Sequence, residues 1–132
     1  MNPEEQNQFF VKTFGKIRKI AGINCVYLLN KELTLTKEEK ISGNDNHLNE
    51  ITNILKSEST VEKLAAGSYS KPFHTYTFLN ENGLTVILKL KSSDTFYMIV
   101  IAGENEPVDL INLLKTCKEV RLDFENHLEL RV

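Results

Sequence analysis

Apolar positions along the chain fall into eight blocks, and the period of each block assigns it to a helix or a strand. Near the N-terminus Phe10, Phe14, Ile17 and Ala21 recur at helical spacing. Asn2 stands as a cap, Pro3 suits a first turn, Glu4 and Glu5 complement the positive end of the dipole, and Gly22 stands as the stop. NCVYLLN follows, an unbroken apolar run of strand formers that predicts a strand covered on both faces. Asn30-Lys31-Glu32 predicts a turn into LTLTK, where Leu33 and Leu35 alternate with Thr34 and Thr36, and the two runs predict a hairpin. A Ser-Gly-Asn-Asp-Asn loop then leads into a second helix over residues 47–66, with Leu48, Ile51, Ile54 and Leu55 near one side and Val61, Leu64 and Ala65 later. Its middle, SEST, holds weak helix formers and marks a break near residues 57–60.

Three strands are predicted beyond Gly67. Residues 73–79 are joined through Asn80-Glu81-Asn82-Gly83 to LTVILKLK, and Asn-Gly is a strong hairpin signal. In LTVILKLK, Leu84, Val86, Leu88 and Leu90 oppose Thr85, Ile87, Lys89 and Lys91, so one face is dry and the other partly wet. Ser92-Ser93-Asp94 turns into TFYMIVIA, which is apolar on both faces and therefore central. A long final helix carries Leu110, Leu113, Cys117, Val120, Phe124 and Leu128 at helical spacing. The order is α-β-β-α-β-β-β-α. Five mostly antiparallel strands with this little polar surface need helices on their faces. The expected fold is an α/β sandwich with the terminal helices side by side on one face and the middle helix on the other. No repeat or linker divides the chain, so a single domain over residues 1–132 is expected.

Charge and composition narrow the partners. The 132 residues hold 16 basic and 18 acidic side chains, a formal net charge of -2, and the basic ones are scattered among acids. That pattern lacks the footprint of a nucleic-acid or polybasic membrane surface. The N-terminus has no signal-peptide pattern and no apolar run is long enough to span a bilayer, so a cytoplasmic protein without membrane insertion is expected. Two cysteines, Cys25 and Cys117, sit inside apolar stripes and read as small buried hydrophobes.

Signatures of catalysis are missing from the sequence. The six glycines are isolated and form no phosphate-cradling loop, so no nucleotide cofactor is expected. His47, His74 and His127 fall in three different elements with no cysteine or carboxylate at ligand spacing, so no metal site is expected. The acidic pairs Glu38-Glu39, Glu104/Glu106 and Asp123/Glu125 read as solvated faces. Arg18, Arg121 and Arg131 are the only arginines and fall in predicted helices, whereas an arginine finger needs an exposed, mobile loop. No enzyme is expected.

SYSKPFHTYTFL raises a different question. It opens on Pro72, which confines it to a sheet edge, and carries aromatic groups on both faces, a liability unless something covers that edge. The chain resembles the roadblock/LC7 family at Ile23-Asn24-Cys25-Val26-Tyr27-Leu28-Leu29, at the Asn82-Gly83 hairpin, and at Met98-Ile99-Val100-Ile101-Ala102 with its acidic loop and final helix. The resemblance implies a non-enzymatic dimerising scaffold that pairs with itself or with a related roadblock chain and regulates small Ras-like GTPases. It implies a dimer surface from Ile51, Ile54, Leu55 and Glu58 of the second helix with Phe73, Thr75 and Thr77 of the third strand. Two other readings stay open. Profilins share the sandwich and bind actin, but take polyproline in an aromatic groove between the terminal helices, and this chain has no tryptophan. Small-molecule sensors of the PAS or GAF type also mix antiparallel strands with helices around an internal pocket.

Overall fold

Seven buried residues in a row turn the first apolar run into a strand with both faces covered, β1 (Ile23–Asn30). It is accompanied in the computed structural model by α1 (Pro3–Arg18), β2 (Leu35–Lys40), α2 (Leu48–Lys56), β3 (Thr75–Asn80), β4 (Gly83–Lys91), β5 (Thr95–Ala102) and α3 (Leu110–Glu129). The structure describes residues 3–41, 48–56, 75–81, 83–91 and 94–129. The five strands form one sheet in the order β2-β1-β5-β4-β3, antiparallel at every described pairing. The centre goes to β5, the most uniformly apolar strand.

The period-2 alternation of the strands divides the core into two layers. On one face Val26, Leu28, Val86, Leu88, Leu90, Met98 and Val100 meet Phe10, Phe14 and Ile17 of α1 and Leu113, Cys117, Val120 and Phe124 of α3. On the other face Cys25, Tyr27, Leu29, Ile87, Tyr97, Ile99 and Ile101 meet Ile51 and Leu55 of α2. The terminal helices thus share one face and the middle helix takes the other. Cys25 and Cys117 lie on opposite sides of the sheet, both buried and not joined in a disulfide.

An aromatic cluster locks the helix pair to the start of β5. Phe10 stands 5.3 Å from Phe96 and 5.9 Å from Phe124, and Phe9 stands 5.5 Å from Phe124, centroid to centroid. Each ring fully buried is worth about 1.5–3 kcal/mol, with a further contribution of about 0.5–1.5 kcal/mol for a favourable ring pair.

The structure corrects the predicted element ends in two places. The first helix stops at Arg18, and the turn that follows brings Ile20 into the core while Ala21 is exposed. The second strand starts at Leu35, because Leu33 takes a left-handed conformation, φ +62°, inside the turn. Asn30 Oδ1 accepts hydrogen bonds from the backbone N–H of Glu32 and of Thr34, both 3.0 Å, an Asx turn that closes the hairpin without a glycine. A register shift follows: Leu29 pairs with Leu35 and Leu28 with Lys37, so the Leu/Thr alternation of LTLTK does not map onto two clean faces. The second helix is described through Lys56, and the predicted break and later turns lie outside the described residues.

Candidate interaction surface

The two edges of the sheet differ in chemistry. β2 carries Lys37, Glu38, Glu39 and Lys40, and charges along an outer strand discourage pairing with another chain. Arg18 of α1 bonds Glu39, and the Lys37 ammonium lies 5.7 Å from the Phe14 ring, so this edge is also tied to its own helix. The opposite edge, β3, reads TYTFLN and contains no charged residue. Its inner side pairs with β4 from Thr75↔Leu88 to Asn80↔Gly83. Its outer N–H and C=O groups form the neutral edge of the sheet.

The two faces of β3 differ as well. Tyr76 and Phe78 are half-buried on the α2 side, beside Ile87 and Tyr97. Thr75, Thr77 and Leu79 point to the opposite side, in register with Leu88, Val86 and Leu84, and Leu79 is 79% exposed.

The residues expected to form a dimer surface separate accordingly. Ile51 and Leu55 are buried at 3% and 5% exposure against their own sheet, where they anchor α2. They therefore do not present side chains to a partner, and the outward residues of the helix include Asn49, Asn53 and Lys56. Thr75 and Thr77 lie on the other face of the sheet, so they do not join the α2 residues in one patch. The side chain of Ile54, and Glu58 and Phe73, lie outside the described residues. Leu110, Ile111 and Leu114 of α3 are exposed, which corrects the core stripe at its first member: helical spacing includes Leu110, yet it is 40% exposed. The signal is present in LINLL, whose four apolar residues in five positions are wider than one helical stripe.

Other clusters carry little chemistry. Among the described residues no three of His, Cys, Asp and Glu come together as metal ligands. Burial pushes the Cys117 thiol up to about 12, far from a nucleophile at neutral pH. A groove of about 480 Å³ between α1 and α3 is lined by Phe9, Lys12, Thr13, Lys16, Val120, Asp123 and Asn126, with Phe9 its one aromatic among the described residues. Polyproline recognition uses several stacked aromatic rings, so this groove does not favour the profilin reading. No described helix is long and apolar enough to cross a membrane.

Paired terminal helices on one face, the one described middle helix on the other, and the strand order β2-β1-β5-β4-β3 make up the sandwich of the roadblock/LC7 fold. Solved structures share it, three of them as follows. An MglB with tetrameric arrangement superposes with a TM-score of 0.74 at 9% identity, covering 100% of this chain and 96% of that one. The gliding protein MglB from Thermus thermophilus gives 0.70 at 10% identity, covering 92% and 90%. A roadblock/LC7 domain from Streptomyces avermitilis gives 0.56 at 11% identity, covering 83% and 91%. No family model matches the sequence, and no curated protein matches it. The likeness is one of fold.

Proposed function

We propose that this chain is a non-enzymatic roadblock-type module of the cytoplasm, a single domain that pairs through the β3 edge with a second copy or a related roadblock chain and regulates a small Ras-like GTPase. The observation that carries the reading is the contrast between the edges: β2 is charged and tied to α1, while β3 is neutral. An antiparallel β3–β3 pairing satisfies the outer backbone groups of both strands and closes the aggregation hazard of a neutral edge. The fold shared with MglB structures, one of them in a tetrameric arrangement, supports assembly as the working state. Ile51 and Leu55 then serve the dimer by fixing α2 beside the edge, while Thr75 and Thr77 lie along the joining strand. Ile54, Glu58 and Phe73 are assigned to the dimer by the family resemblance alone, since the Ile54 side chain, Glu58 and Phe73 lie outside the described residues.

Light scattering across a micromolar concentration series tests the pairing. The wild type runs as a dimer, and Thr77→Pro, which removes an edge donor from β3, runs as a monomer. A wild type that stays monomeric at high micromolar concentration refutes the pairing. Retention of a Ras-like GTPase, loaded in turn with GDP and with a GTP analogue, tests the regulatory part, and equal absence of binding in both states refutes it.

A further inference from the structure

Four apolar residues exposed on the terminal-helix side, setting aside Val11 and Leu122, form a pattern once the helices are placed over the strands. Leu110 and Leu114 are each 40% exposed, Ile111 is 83% exposed and Leu79 is 79% exposed. α3 lies over β4 with α1 beside it. The flank of α3 nearest α1 is marked by Asp123, 3.9 Å from Lys16. At about 100° per residue the other flank, toward β3, carries Leu110 and Leu114 in its first turns and Lys118, Arg121 and Glu125 further along, Arg121 bonding Glu125, with Ile111 at its upper margin. Below it the floor is the open face of β3, Thr75, Thr77 and Leu79.

The ends also align. Val108 and Gly83 both lie within 4.0 Å of where a Cβ on Gly103 would stand, so α3 begins at the Leu79–Leu84 end of the sheet. It runs to the far end, where Phe124 meets Phe96 at 6.0 Å.

We infer that this flank of α3 is a second contact between copies of the chain, in which α3 of one protomer packs antiparallel against α3 of its partner across the joined β3 strands, over a floor that includes Leu79. The inference rests on the β3 pairing proposed above. In such a pairing, β4 of one copy and β4 of the other are three strand spacings apart, about 14 Å. Helices pack at about 8–10 Å, so two α3 helices over those strands leave a gap that large apolar side chains fill. A two-fold axis through the middle of β3 passes near Thr77. Thr77 lies about 7 Å from Leu79 along the strand, the rise of about four or five helical residues. Counted from Leu110, that places Leu114 beside the axis, facing its own copy.

Area supports a second copy as the occupant. A stable interface covers about 800 Å² on each partner, more than a six-residue strand edge with two threonines supplies. The exposed leucines and isoleucine of α3 and Leu79 add the apolar surface the edge lacks.

Leu114→Cys in the full chain tests the contact. Mild oxidation at micromolar concentration is expected to link two copies through this residue, since Cys25 and Cys117 are buried, with Lys12→Cys on the exposed surface of α1 as control. Leu114→Asp is expected to raise the dimer dissociation constant about tenfold or more, with the circular dichroism of the fold unchanged. A dimer abolished by Thr77→Pro in which Leu114→Cys links no faster than Lys12→Cys overturns this inference and leaves the edge pairing standing. A wild type that is monomeric, or a dimer indifferent to Thr77→Pro, overturns both.

Discussion

Replacing Gly22 with alanine strikes the point where the turn after α1 meets the loop that launches α3. Gly22 sits at φ +88°, and a Cβ there would stand 2.6 Å from the Pro107 carbonyl oxygen and 2.6 Å from the Val108 Cα, both backbone atoms. Its N–H donates to Glu106 Oε1 at 3.1 Å, and its carbonyl accepts from the Gly103 N–H at 2.8 Å. The left-handed conformation costs a residue with a Cβ about 1–2 kcal/mol. Displacing backbone on the facing loop adds about 1–3 kcal/mol, by analogy with overpacked cores. Gly103 separates the two terms: its φ is +79°, but the nearest atoms to a Cβ stand 3.7 and 4.0 Å away. Gly103→Ala should therefore lose only the conformational part, about 1–2 kcal/mol. Urea unfolding followed by circular dichroism measures both. With a slope of about 2 kcal/mol per molar urea, a loss of about 3 kcal/mol lowers the Gly22→Ala midpoint by about 1.5 M. Gly15→Ala, in the interior of α1 with only the flexible end of Arg18 at 3.9 Å, should gain about 0.5–1 kcal/mol and serves as the opposite control. A Gly22→Ala midpoint equal to or above that of Gly103→Ala refutes the clash.

Three further outcomes are expected. At Leu33 the usual order of substitutions should invert: glycine relieves the left-handed strain that alanine keeps, so Leu33→Ala should melt below Leu33→Gly by the equivalent of about 1 kcal/mol in a thermal scan. Asp109 caps α3, its Oδ1 accepting from the Asn112 N–H at 3.2 Å, and Asp109→Ala should cost about 1 kcal/mol in the same urea assay, with Asp109→Asn losing less. The Cys117 thiol, raised by burial from 9.0 to about 12, stays protonated in the fold while the unfolded chain ionises. Its contribution to stability is thus complete below pH 9 and declines as pH rises toward 12, and the stability–pH curve of Cys117→Ala should be flatter across that window.

The periods along the chain determined the elements and the layer each one faces. Alternation in LTVILKLK divided Leu84, Val86, Leu88 and Leu90 from Ile87, and these are the residues found in the two separate core clusters. The unbroken apolar runs of β1 and β5 identified strands covered on both faces, because only burial on both sides suppresses alternation. Helical spacing likewise picked out Phe10, Phe14, Ile17, Leu113, Cys117, Val120 and Phe124, all buried.

Tertiary structure decided what no single element records. Ile20 replaced Ala21 in the core because the chain leaves the helix after Arg18 and turns back toward the sheet. The register shift at Leu28/Leu29 and the Asx turn at Asn30 moved β2 onto its charged residues. Ile51 and Leu55 proved to face their own sheet, on the side away from Thr75 and Thr77, since period 2 assigns a face but not the neighbour that covers it. Leu110 looks like a core residue from its spacing, and only the position of α3 over β4, with β3 beyond it, leaves it exposed. The apolar stripe is a property of local periodicity, and whether it is covered depends on contacts between segments far apart in the chain.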